Sequence, residues 1–144
     1  MEFFMRNNKH GFTMIELVFV IVVLGILASI AIPKLAVTRN DAVLAKGKTD
    51  VATIRAAIVT ERQSQLIKGV NTWIPKLSNG TGNLFTGSDE NRTLLMYGIA
   101  PGEWAKTDDT TYTFTARGVT TTFTYSNTAG TFTCTGNDCA KLTN

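Results

Sequence analysis

The chain has 144 residues, enough for one small domain and a membrane segment but not for two ordinary domains. Apolar residues make up 44% and crowd into the first third, so the remainder has a modest core. The net charge of +3 is uneven: residues 34–68 hold seven basic and three acidic side chains, residues 69–144 five and six. Non-specific DNA binding draws on a dense basic surface, which the C-terminal part lacks.

Met1 to His10 form a short polar leader containing Arg6 and Lys9. The run from Phe12 to Ile32 follows, about as long as a membrane span, roughly 30 Å as a helix. From Leu17 to Ile32 no side chain is charged. A secretory signal peptide fits poorly, because no A-x-A site follows and Ala28-Ser29-Ile30-Ala31 is a weak substitute. A plain signal anchor explains the hydrophobicity but neither the Gly11-Phe12 junction nor Glu16. A carboxylate in a membrane helix costs roughly 2.5–3.5 kcal/mol on insertion scales, so its default reading is functional. Gly25 and Ser29 put two small residues on one helix face, which permits close packing. Arg6 and Lys9 before the run and Lys34 and Arg39 after it blunt the positive-inside rule.

Residues 11–33 read GFTMIELVFVIVVLGILASIAIP. This resembles the N-terminal signal of type IV pilins and type II secretion pseudopilins, in which G-F-T-L-I-E precedes a hydrophobic helix. Met14 stands where Leu is usual. The resemblance is specific over residues 11–33 and extends along the helix to about residue 68. It implies an α+β, pilin-like fold: a long N-terminal transmembrane helix packed on a small C-terminal antiparallel sheet. The implied organisation is a leader at 1–11, a transmembrane and assembly helix at 12–33, an amphipathic continuation at 34–68 and a periplasmic α+β head at 69–144. A membrane-embedded prepilin peptidase would cut between Gly11 and Phe12 and methylate the new Phe12 amine. Glu16 would then pair with that amine on another copy. Each charge offsets the burial cost of the other, and the pairing fixes an axial stagger between subunits. Some tip-located minor pseudopilins lack this acid, so its presence points away from that class.

Pro33 removes a backbone donor, and in a globular protein the helix would stop there. In pilins a proline at the matching position is carried as a kink within one long helix, and the resemblance implies the same here. Residues 34–68 read as amphipathic, with Val37, Leu44, Val51, Ile54 and Ile58 on one face and Ala36 and Val43 beside them. Gly69 is a stop signal.

Residues 69–110 are rich in Gly, Asn, Ser and Thr and read as loops with short elements. Trp73, Ile74, Leu77, Leu84 and Phe85 are expected to plug onto the helix, and 94–99 to form a short helix or strand. From Tyr112 onward aromatics alternate with threonines. Arg117-Gly118 and Asn127 to Gly130 are turn candidates, which gives an antiparallel meander of three strands ending at Cys134. A disulfide between Cys134 and Cys139 is expected if the head lies outside the cytoplasm; free buried thiols are the alternative. Type IV pilins usually enclose a larger loop, so this short one points away from a surface fibre. Asp108, Asp109 and Asp138 could contribute oxygen ligands to calcium, as in loops of major pseudopilins, or act as turn residues; no metal or other cofactor is assigned.

The only histidine, His10, lies in the leader, and no Gly-x-Ser-x-Gly elbow or phosphate loop is present. An enzyme is therefore not expected. The reading is a structural pseudopilin of a type II secretion-like system, held by one span in a bacterial inner membrane with its head in the periplasm. It would be drawn into a short filament with other pseudopilins by an assembly platform and its ATPase. A competence pseudopilin for DNA uptake, with the basic stem contributing, and a type IV pilin of a surface fibre are the alternatives.

Overall fold

The computed structural model describes residues 11–144. The predicted leader, Gly11 apart, lies outside the described residues. The chain divides into two compact units between Arg39 and Asn40. The first helix, α1, runs Met14–Ile67 and contributes to both.

From Leu17 to Ile32, within the first unit, α1 carries no charge and is apolar on nearly all sides. No side chain from Gly11 to Arg39 is buried, and only Val23 is even half-buried. A helix hydrophobic all round belongs in a bilayer or a bundle core. It is the one helix among the described residues long and apolar enough to cross a membrane. Pro33 lies inside it. The proline nitrogen has no hydrogen, so one i→i−4 bond is missing, as the missing donor requires.

In the second unit the remainder of α1 lies against a four-stranded antiparallel sheet of order β3-β4-β5-β6. The strands are β3 (Trp104–Lys106), β4 (Thr111–Ala116), β5 (Val119–Ser126) and β6 (Thr131–Thr135). A two-stranded ribbon, β1 (Gly87–Asp89) with β2 (Arg92–Thr93), precedes them, and a short helix, α2 (Cys139–Thr143), follows. Side chains alternate along each strand. Tyr112, Phe114, Phe123, Tyr125 and Phe132 face inward, and Trp104 joins them. They meet Leu44, Val51, Ile54 and Ile58 of α1, while Thr115, Thr120, Thr124, Thr133 and Thr135 stay exposed. Arg117 and Gly118 both take positive φ, 57° and 74°, as a tight two-residue hairpin turn requires.

Two close approaches depend on glycine. A Cβ on Gly47 would come 2.4 Å from Phe114 Cζ, so the glycine lets α1 and β4 touch. At Gly130 a Cβ would lie 2.3 Å from the Trp73 ring. The Arg62 guanidinium lies over the same ring, 5.0 Å from its centroid. The end of α1 is a Schellman cap: Gly69 N–H donates to Leu66 O (3.0 Å) and Val70 N–H to Gln65 O (2.9 Å).

Several expectations are corrected. The meander has a fourth strand, β3, added at its edge by pairing with β4. Residues 94–99 form neither helix nor strand; Ile99 makes one bridge to Leu84. Val37, expected on the buried face, is 62% exposed, and the buried face instead runs on through Glu61 and Gln65.

Candidate functional site

The predicted site begins at Gly11 and Phe12, both exposed and outside the helix. Thr13 and Glu16 then close a capping box. Glu16 N–H donates to Thr13 Oγ1 at 3.2 Å, and Thr13 N–H donates to Glu16 Oε2 at 3.4 Å. The arrangement satisfies donors that a helix start leaves unpaired, and it places a negative charge at the positive end of the helix dipole. Threonine at the cap and glutamate three residues on is the pattern that builds it. Glu16 is among the residues expected from the sequence and Thr13 is not; T-x-x-E is the signal that finds it.

The carboxylate is thus held at the first turn, four residues past Phe12 and at one end of an uncharged run. A second group of opposite charge brought to this end would meet it without crossing the apolar stretch. Pro33 lies far along the same helix, and Cys134 and Cys139 belong to the other unit.

Cys134 and Cys139 are joined by a disulfide. It ties β6 to α2, whose Leu142 is buried in the core. The three acids weighed for calcium each have another partner. Asp108 Oδ1 accepts from Thr110 N–H and Oγ1 and from Thr111 N–H at 2.7–2.9 Å, and these bonds, the Thr110 backbone first, hold its pKa below the usual 3.8. Asp109 pairs with Lys106 at 2.6 Å, which lowers its pKa as well. Asp138 pairs with Lys141 at 2.8 Å. Among the described residues no group of three or more His, Cys, Asp or Glu is placed to hold a metal ion.

Three polar groups of the second unit escape the sequence pattern. Glu61 is buried on α1 and receives Arg92 of β2 through both oxygens, at 2.8 and 3.1 Å. Asp50 accepts the Trp104 indole N–H at 3.0 Å, and burial raises its pKa. The Tyr125 hydroxyl donates to Ile74 O at 2.8 Å and is pushed up to about 12 by burial. These groups hold the unit together.

Residues 6–32 match the prokaryotic N-terminal methylation motif. Over 80 residues the chain is 32% identical to the type II secretion system core protein G of Dickeya chrysanthemi, covering 56% of this chain and 48% of that protein. It is 38% identical over 53 residues to the protein of the same name from Pseudomonas aeruginosa, 37% of each. The Klebsiella michiganensis protein is 36% identical over 53 residues, again 37% of each. The chain thus spans about half or less of the length of the curated relatives it matches. No solved structure matches it.

Proposed function

We propose that this chain, a pilin-like protein with a prepilin-type N-terminus, is a pseudopilin subunit of a type II secretion-like system. A prepilin peptidase would cleave after Gly11 and methylate Phe12. The mature subunit would sit in the inner membrane with residues 12–33 as its span, kinked at Pro33, and its head in the periplasm. Assembly with other pseudopilins, driven by a platform and an ATPase, would place Glu16 against the Phe12 amine of a neighbour. The role is structural rather than enzymatic.

The observation that carries this reading is Glu16: one acid, capped by Thr13, at the head of a helix otherwise uncharged to Ile32. An anchor has no need of it, and burying it alone is costly. The DNA-uptake alternative draws less support. Of the stem cations suited to a test of it, Lys46 pairs with Glu103 at 3.2 Å, and Arg55 donates twice to Phe132 O at 3.0 and 3.1 Å. Lys48 has neither role and is the cleaner residue to replace.

The test is Glu16→Ala in a host carrying the rest of the assembly machinery. Intact mass and N-terminal sequencing should give an N-methylated Phe12 start, with the subunit in the membrane fraction and absent from sheared filaments. Normal filaments from this variant would refute the role of Glu16; an unprocessed Met1 start in the wild type would refute the class.

A further inference from the structure

Directly beyond the apolar run, α1 carries two cations that no described residue neutralises. Lys34 and Arg39 form no ion pair among the described residues, whereas Lys46, Arg92, Lys106 and Lys141 all do. Around Lys34 the helix surface has a shallow depression of about 350 Å³ lined by Ala31, Lys34, Leu35 and Thr38. The small Ala31 opens it and Leu35 forms an apolar wall. The Thr38 hydroxyl is already committed to Lys34 O at 3.1 Å, so the ammonium is the polar group left to act there. Leu35 is 69% exposed. Exposed aliphatic side chains beside unpaired cations are the composition of a segment lying at a membrane surface.

The position along the helix agrees. From Glu16 to Lys34 an α-helix rises about 27 Å, close to the thickness of a hydrocarbon core. With Glu16 at one headgroup level, Lys34 reaches the other. Arg39 stands roughly 8 Å further along, still within a Debye length of that surface. Anionic lipid attracts such cations, and a zwitterionic lipid does so much less.

We propose that this end of α1 is a site for an anionic phospholipid, with the phosphate on Lys34, an acyl chain along Ala31 and Leu35, and Arg39 adding charge at the same level. The inference rests on the membrane reading given above and deepens it. A subunit leaving the bilayer for a filament must then exchange this lipid for protein contacts, so the lipid opposes premature extraction.

The experiment is native mass spectrometry of the full chain in neutral detergent, with phosphatidylglycerol and phosphatidylcholine of identical acyl chains in competition. The wild type should retain phosphatidylglycerol over phosphatidylcholine by on the order of tenfold. Lys34→Gln with Arg39→Gln should bring the two to parity, and Lys34→Arg should keep the preference. Equal retention by the wild type, or an undiminished preference in the double variant, overturns the site. Flotation with neutral vesicles separates the two readings. A chain that floats but shows no preference overturns the lipid site alone. A wild type that floats with neither neutral nor anionic vesicles overturns the membrane reading and the site together.

Discussion

Replacing Arg92 with Met should be among the most damaging single changes in the second unit. Glu61 has 3% of its side chain exposed and Arg92 12%, so solvent screens the pair little. The guanidinium also donates to Thr72 Oγ1, Thr72 O and Trp73 O at 2.8–3.1 Å. Arg92→Met removes the cation and leaves the carboxylate buried with no counter-charge. Removing one partner of a buried pair costs about 3–5 kcal/mol, mostly the penalty of the stranded charge. A chain of this size shifts by roughly 3–6 °C per kcal/mol, so the transition should fall by roughly 9–30 °C.

Adding Glu61→Gln to Arg92→Met removes the stranded charge while the lost donors stay lost. The double variant should therefore be more stable than Arg92→Met alone. The assay is thermal unfolding of the full chain in detergent, followed by the near-ultraviolet circular dichroism of Trp73 and Trp104. If Arg92→Met lies within about 1 kcal/mol of wild type, or is at least as stable as the double variant, the buried-pair reasoning is wrong.

Other consequences are smaller. Gly47→Ala gains about 1 kcal/mol of helix propensity but forces a methyl into the Phe114 ring and within 3.0 Å of Leu142, an overpacking cost of about 1–3 kcal/mol; urea midpoints should fall or at best hold. Replacing Cys134 and Cys139 with Ser should cost about 2 kcal/mol by loop entropy and loosen Leu142, read as faster amide exchange in α2. Asp108 has a lowered pKa in the fold, so its stabilisation is complete above the ordinary 3.8 and lost as pH falls through the folded value. Unfolding midpoints from about pH 5 to about pH 2 should thus fall less steeply for Asp108→Asn than for wild type, and parallel curves would sink the assignment. Thr13→Val removes the acceptor for the Glu16 amide and should cost about 1 kcal/mol locally, seen as about fivefold faster exchange of that amide.

The meander and the stem helix were legible because their periods are long enough to count. Tyr112 to Thr135 alternates over three strands, and Leu44, Val51, Ile54 and Ile58 recur at helical spacing. β3 was not legible: its three residues sit between the Pro101-Gly102 turn and Asp108-Asp109, too short for alternation to register. The ribbon of β1 and β2 is shorter still, and is fixed by Asp89 accepting from the Asn91 and Arg92 amides. Glu61 looks like a solvated residue because its partner lies thirty-one positions away. Its position nonetheless extends the Ile54 and Ile58 face, and an acid on a buried face asks for a buried cation. At the candidate site, Gly11-Phe12 is expected from the resemblance and Glu16 from its place at the head of the apolar run, while Thr13 shows only as a capping pattern.

Thr13 also bears on how Glu16 could serve two states. Within one chain the carboxylate accepts a single backbone N–H at 3.4 Å in an exposed setting. Such a cap is worth about 1 kcal/mol. In the proposed filament the same carboxylate would meet a charged amine away from water. There, leaving either charge unpaired costs several kcal/mol. The self-cap is strong enough to hold the side chain at the helix head and weak enough to be given up when an amine arrives. A stronger intrachain partner, such as the fork Arg92 offers Glu61, would hold the acid too firmly for that exchange. The two glutamates of α1 therefore divide by what holds them. Glu61 is fixed by five guanidinium bonds around its partner and serves the fold. Glu16 is held lightly, as the proposed pairing with a second copy requires.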